Sequence, residues 1–250
     1  SALLIGAYRF NPAFRLGGWV DQNLHVQTEQ VKMSNSTPML GAFGIYNPAR
    51  DGSQWKFGAA LSYVDKDMKI ARQRLENTEE AYGLTSFKGL AWQIELSYGF
   101  QNVVSNALLS PFFGVRGYRG KVDGYTEKSS ASVQVPITYG DYKQWSKTVF
   151  GGLRLEGVLR KEFKYNLAAG VESDSDNNTP RYSGTSRIYG LDASALKGSS
   201  RPRDVRGFAS AHASYEVRKN ESINFGIYYR QDYLKDLDSV SAMLTYTIGL

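Results

Sequence analysis

Two hundred and fifty residues fit one or two ordinary domains, or one larger barrel. The chain has no Cys, so a disulfide scaffold and any thiolate metal site are excluded, and with 22% charged and 42% hydrophobic residues it is not a disordered polyelectrolyte. The net charge of +6 comes from scattered basic residues with no run of five or six, so no nucleic-acid partner is expected.

Taken in order, the chain reads as strands separated by turns. Ser1–Phe10 is a strand that ends at a tight Asn11-Pro12 turn. Phe14, Leu16, Gly18 and Val20 then alternate with Arg15, Gly17, Trp19 and Asp21. A long connection, Gln27–Thr37, leads to a strand over Pro38–Tyr46 and a short turn over Asn47–Ser53. Trp55, Phe57, Ala59, Leu61 and Tyr63 alternate with Lys56, Gly58, Ala60 and Ser62, and a long loop is expected over Lys66–Gly83. Trp92, Ile94, Leu96 and Tyr98 alternate with Gln93, Glu95, Ser97 and Gly99, before a short turn at Gln101–Asn106 and a strand over Leu109–Val122.

The second half repeats the scheme. A long loop, Asp123–Lys143, precedes Val149, Gly151, Leu153 and Leu155, which alternate with Phe150, Gly152, Arg154 and Glu156. After a short turn at Arg160–Glu162, Phe163, Tyr165, Leu167, Ala169 and Val171 alternate with Lys164, Asn166, Ala168, Gly170 and Glu172. The longest loop, Asp174–Arg203, leads to Ala209, Ala211, Ala213, Tyr215 and Val217 alternating with Ser210, His212, Ser214 and Glu216. Arg218–Ser222 is a short turn, Ile223, Phe225, Ile227 and Tyr229 line one face of the next strand, and Asp232–Asp238 is brief. The chain closes on Ala242, Leu244, Tyr246, Ile248 and Leu250, alternating with Ser241, Met243, Thr245, Thr247 and Gly249.

A period of two over about 10 residues matches a membrane-crossing strand and exceeds the roughly 5–6 residues of an ordinary one. A soluble sandwich could show the same alternation. Two features favour a barrel. Aromatics sit near the ends of the apolar faces (Trp55 and Tyr63, Trp92 and Tyr98, Tyr215, Tyr229), as interfacial girdles do. Short turns also alternate with long loops, the layout of an outer-membrane barrel with its long loops outside the cell. The mean hydropathy of −0.40 does not oppose this, because half of every such strand is polar. The expected fold is an all-β, transmembrane antiparallel barrel forming one domain over residues 1–250, and about eleven strands are countable. Even strand numbers are the rule for such barrels, so one strand is expected to precede Ser1, or to hide in Thr179–Leu196 or Ser130–Thr138.

The polar faces give a candidate lumen lining: Arg15, Asp21, Lys56, Glu95, Arg116, Arg154, Glu156, Lys164, Glu172, Glu216, Arg218 and Arg230. Most of these are expected to pair with one another, since charges attract strongly where water is confined; some could hold a plug segment.

Several segments together resemble the C-terminal translocator domain of autotransporters (type V secretion). They are Tyr8-Arg9-Phe10-Asn11-Pro12 with Arg15-Leu16-Gly17, then Gly124-Tyr125-Thr126-Glu127-Lys128-Ser129-Ser130, Gly170-Val171-Glu172-Ser173-Asp174, Tyr229-Arg230-Gln231, and Thr245-Tyr246-Thr247-Ile248-Gly249-Leu250. One departure is Leu250, where the family usually ends in an aromatic. The resemblance implies a 12-stranded barrel in the bacterial outer membrane that anchors an N-terminal passenger and assists its secretion. It implies as partners the outer-membrane lipid, the protein's own passenger and linker, and the barrel-assembly machinery. A barrel of this size is usually one unit, so a monomer is expected. The resemblance also marks the terminal strand, Ala242, Leu244, Tyr246, Ile248 and Leu250, as the segment that machinery reads. The passenger and linker would lie before Ser1.

Two alternatives belong to other classes. One is a stand-alone channel of porin type. The other is a barrel hydrolase, which needs a His, and only His25 and His212 are present. Ser210 and Ser214 flank His212 on one strand face at about 7 Å, too far for a nucleophile–base hydrogen bond. His25 has no convincing partner set. No enzyme activity is expected, and no phosphate loop or metal-ligand spacing points to a cofactor or metal.

Overall fold

The computed structural model describes residues 3–22, 31–34, 37–71, 81–104, 107–128, 136–177, 184–186, 192–193, 204–231 and 238–248. Within them the strands are β1 (Leu3–Asn11), β2 (Phe14–Asp21), β3 (Val31–Met33), β4 (Met39–Tyr46), β5 (Gln54–Ala71), β6 (Tyr82–Val104), β7 (Ala107–Val122), β8 (Tyr125–Thr126), β9 (Ile137–Tyr139), β10 (Tyr142–Arg160), β11 (Phe163–Asn177), β12 (Gly184–Ser186), β13 (Asp192–Ala193), β14 (Val205–Arg218), β15 (Glu221–Gln231) and β16 (Asp238–Ile248).

The wall is an antiparallel sheet in the order β1-β2-β4-β5-β6-β7-β10-β11-β14-β15-β16. β3 pairs with β5 at Val31↔Ile70 to Met33↔Met68, while β4 pairs with β5 at Leu40↔Tyr63 to Tyr46↔Phe57. β6 occupies the other edge of β5 along its whole length. β3 and β4 are thus successive stretches at one wall position, and the sheet places twelve strands at eleven positions. Its end strands, β1 and β16, are not paired with each other among the described residues. The sheet curls around an interior: Trp19 of β2 and Arg230 of β15, near its opposite ends, line one cavity of about 530 Å³.

The predicted facing holds for Trp55, Phe57, Leu153, Leu244 and Tyr246, which point outward and are exposed. Leu4, Tyr8 and Phe113, in strands for which no face was predicted, point outward as well. An apolar surface of this extent is a liability in water and a requirement in lipid. Aromatics gather at the short-turn end, with Trp55 on Tyr98 at 5.1 Å, Tyr98 on Phe100 at 4.7 Å and Tyr8 on Phe10 at 5.0 Å. The turn between β4 and β5 is knotted by Asn47. Its amide donates to the carbonyls of Ser53 and Trp55 at 2.9 Å each, and its side-chain oxygen accepts the Gly52 N–H at 2.9 Å. Beside it, hydrogen bonds from Ser53 hold the Asp51 carboxyl below the usual carboxylate range.

Two expectations about loops are corrected. Lys66–Gly83 is not a loop throughout, because β5 and β6 stay in register from Gln54↔Gly99 to Ala71↔Tyr82. Strands of 18 and 23 residues outrun the 9–11 or so that cross a bilayer. Beyond the membrane both faces are wet, so the apolar alternation stops although the ladder continues. Likewise β11 runs on to Asn177, past the expected loop start at Asp174. The segments proposed as a hidden wall strand supply β9, β12 and β13 instead. These form a separate small sheet in the order β13-β12-β9-β8, fastened to β6 by the Lys128 N–H on the Tyr82 carbonyl at 2.8 Å.

The inner face is packed by aromatic rings lying over glycines. One row across the wall reads Ser97, Phe112, Gly152, Gly170, Phe208, Arg230. A Cβ on Gly152 would lie 2.9 Å from the Phe112 ring and 2.7 Å from the Gly170 Cα, and one on Gly170 would lie 2.6 Å from the Phe208 ring. Phe150 completes the cluster at 6.3 Å from Phe112 and 6.5 Å from Phe208. Gly152→Ala is therefore expected to lower stability by about 1–3 kcal/mol through overpacking. Gly58→Ala, where a Cβ meets nothing within 4 Å, should change it by much less. Urea unfolding of the two variants in detergent checks the contrast.

Candidate functional site

The interior of the curled sheet is the candidate site, and its geometry is set by the strand register. Glu172 of β11 is directly opposite Arg206 of β14, whose Nε lies 3.0 Å from Oε1. Arg230, one strand further on β15, donates to the same oxygen through Nε at 3.0 Å and Nη2 at 2.8 Å. Arg116 of β7 reaches across β10 to pair with the other oxygen, Oε2. Arg206 also donates to Asp174 Oδ1 at 2.5 Å, and the Thr148 hydroxyl donates to the same oxygen at 2.7 Å. The Glu172 side chain is 0% exposed. Three guanidinium groups thus face two carboxylates, which leaves one positive charge in excess at the centre of the interior.

Two further charge pairs skip strands. Arg154 of β10 binds Glu95 of β6 in a two-pronged contact at 2.8 and 3.2 Å, passing over β7. Its guanidinium lies 4.8 Å from the Phe112 ring centre. Lys56 of β5 approaches Glu156 of β10 at 3.9 Å, three wall positions away, and Asn166 donates to Glu156 at 2.7 Å. Planar forked contacts such as Arg154–Glu95 fix orientation as well as distance.

The predicted lining therefore divides. Lys56, Glu95, Arg116, Arg154, Glu156, Glu172 and Arg230 are brought together across the interior. Arg15 lies nearer the short turns and lines a cavity of about 230 Å³ with Lys56 and Glu156. Lys164 lines a larger one of about 770 Å³ with Glu156, Asn166 and His212. Asp21 is half-buried at the long-loop end, while Glu216 and Arg218 are exposed beside a short turn. Sequence reading missed Arg206, Asp174, Phe112 and Phe208. Extending the β14 alternation upstream from Ser210 would have placed Phe208 and Arg206 on the inner face.

His212 stacks edge-on against Tyr228 with ring centres 4.7 Å apart, and makes no hydrogen bond to a hydroxyl or carboxylate among the described residues. His25 lies outside the described residues. On the terminal strand Leu244, Tyr246 and Ile248 are exposed outward in register with β15, and the Tyr246 hydroxyl donates to Glu221 at 2.5 Å. Leu250 lies outside the described residues.

A family model described as the autotransporter β-domain matches residues 6–230. The chain belongs to the autotransporter β-domain family. The chain is an outer-membrane barrel of the translocator class, and the solved translocator domain of the autotransporter NalP from Neisseria meningitidis has the same fold. That structure superposes with a TM-score of 0.70 at 15% identity, covering 99% of this chain and 78% of its own. A Pseudomonas putida protein from the trpE-trpG intergenic region is 30% identical over 196 residues, 75% of this chain and 31% of that protein. The esterase EstA of Pseudomonas aeruginosa is 32% identical over 158 residues, 60% of this chain and 23% of the esterase. The chain thus spans less than a third of the length of the curated relatives it matches.

In this translocator barrel Glu172 is the keystone of the interior. Removing one partner of a buried charge cluster costs about 3–5 kcal/mol, because the others are left uncompensated. Glu172→Gln is expected to lose stability on that scale in urea titrations. Glu172→Gln combined with Arg116→Met should recover part of the loss, since the one ion pair of Arg116 among the described residues is with Glu172.

Proposed function

We propose that this barrel anchors a longer surface protein and carries its N-terminal passenger across the outer membrane. The observation that supports this best is the seam between β1 and β16, which are not paired with each other among the described residues. Unpaired edges in lipid are not tolerated, so a twelfth strand is needed. β1 and β16 both run toward the short-turn, periplasmic end, so the strand that pairs between them antiparallel must ascend. It begins on the periplasmic side. A segment that starts outside the cell and feeds this strand has to descend first, and the charged interior is its route. The excess guanidinium charge around Glu172 suits a segment with acidic or carbonyl-rich surface.

A stand-alone channel is the second reading, favoured by the interior cavities alone. Protease shaving of intact cells that express the full-length protein separates the two. Under the translocator reading a large fragment is released, and deleting residues 1–250 abolishes its surface exposure; a signal peptide directly before Ser1, with nothing to shave, would favour the channel. The barrel is proposed to act as a monomer and to catalyse no reaction.

The terminal strand is further proposed to be what the barrel-assembly machinery reads. Its outward side chains Ala242, Leu244, Tyr246 and Ile248, with Leu250 after them, and its extended edge offer both apolar contacts and backbone hydrogen bonds. Deleting Tyr246–Leu250 should cut the heat-modifiable, membrane-inserted fraction at least tenfold. Normal insertion of that truncation would rule the role out.

A further inference from the structure

We propose that the outer face of β6, β7 and β10, just beyond the apolar band at the long-loop end, binds a phosphorylated acyl glycolipid of the outer leaflet. The register stacks three outward rows there: Trp92, Gly117 and Lys147; then Leu90, Arg119 and Trp145; then Lys88, Lys121 and Lys143. Below them the same faces are apolar, with Ile94, Leu96, Phe113 and Leu153 exposed. The rows therefore sit where lipid headgroups begin.

Five cations occupy three adjacent strands. Three carboxylates answer three of them. Lys88 lies 3.9 Å from Asp65, Lys121 lies 2.5 Å from Asp123 and 3.0 Å from Asp141, and Lys143 lies 3.9 Å from Asp141. Asp123 and Asp141 are held below the usual carboxylate range, by Lys121 and by the Gly124 N–H respectively, so they are ionised at neutral pH. Arg119 and Lys147 are exposed, and neither has a carboxylate within ion-pair distance among the described residues. The same rows continue onto β5 as Leu61, Tyr63 and Asp65 and onto β11 as Asp176, which stands opposite Lys147 without an ion pair to it, and none of these is a cation. The positive surplus is confined to one sector of the barrel.

That sector also has a shape. A groove of about 560 Å³ is lined by Leu90, Trp92, Gly117, Arg119, Trp145 and Lys147, among others. Gly117 leaves its floor without a side chain, and the Trp92 indole lies over it. Tryptophans at this level hold the boundary between acyl chain and headgroup. A guanidinium and an ammonium level with these indoles, Arg119 beside Trp145 and Lys147 in the row of Trp92, are the donors that recognise phosphate. Basic pockets on membrane faces take anionic headgroups in the same way. The combination fits a ligand with acyl chains below, sugar against the indoles, and phosphate on Arg119 and Lys147.

Native mass spectrometry of the full-length protein purified in detergent tests this, with purified bisphosphorylated lipid A as the probe. The unmodified protein should retain one equivalent, and Arg119→Gln/Lys147→Gln should bind at least tenfold more weakly. Arg119→Lys should keep most of the binding, and so should Lys219→Gln, which alters a cation at the opposite rim. The gel shift on heating verifies that each variant is a folded barrel. Retention by the double variant within twofold of the unmodified protein would overturn the proposal. So would equal retention of phosphatidylglycerol, which would make the sector a non-specific anionic interface. Displacement of lipid A by an equal concentration of inorganic phosphate would also overturn it, because the site would then be one for the free ion. None of these readouts depends on whether a passenger is secreted.

Discussion

Inside a bilayer no water is present to satisfy a backbone N–H or C=O, and that constraint organises this molecule. Eleven wall positions follow one another in chain order, each paired antiparallel to the last. Local pairing of this kind is the simplest way to close every ladder. Once the ladder runs around a curved wall, successive side chains must point alternately to lipid and to the interior. The two-residue period is therefore a consequence of the membrane and not an independent feature. The seam between β1 and β16 is where the constraint is unmet among the described residues, which is why the identity of the closing strand governs the functional reading.

The interior poses a second problem. A wall one strand thick has no hydrophobic core to hold its curvature. Here the load passes to contacts that skip strands. Arg154–Glu95 ties β10 to β6, Lys56–Glu156 ties β5 to β10, and Glu172 gathers side chains from β7, β14 and β15. Phe112, Phe150 and Phe208 add rings that touch across glycines without side chains. Buried ion pairs add little net stability when made, but are costly to break. They act as pins that specify which strands face each other, while the ladders supply the cohesion.

Much of this was legible in the sequence, and the reasons it was not elsewhere are physical. Trp19 and Phe150 could be placed on the polar side because period two alone assigns a face. Lys56, Glu95, Arg154 and Glu156 followed from the same rule. Their pairing partners did not, because Glu95 meets Arg154 across an intervening strand, and only the shear and curvature of the sheet determine that. Arg206 escaped because a polar, loop-like stretch hides the first residues of β14. The ladder from Lys66 to Ala71 escaped because a strand that emerges from the membrane loses its apolar face before it loses its hydrogen bonds. The small sheet of β8, β9, β12 and β13 has strands of two or three residues, too short to show any period.

The net charge of +6 takes on a different meaning once the wall is drawn. Some of the basic residues scattered in the sequence gather into two separate groups in space. One lies inside, where three guanidinium groups surround Asp174 and the fully buried side chain of Glu172. The other lies outside on β6, β7 and β10, at the level of the headgroups. A low-dielectric barrier of lipid and protein separates them, so they cannot compensate each other, and each selects its own counter-charge locally. The inner group faces the enclosed interior, where the proposed passenger segment would meet it. The outer group faces the surroundings of the barrel, where the proposed lipid would meet it. The fold thus separates part of that charge into two groups with different surroundings.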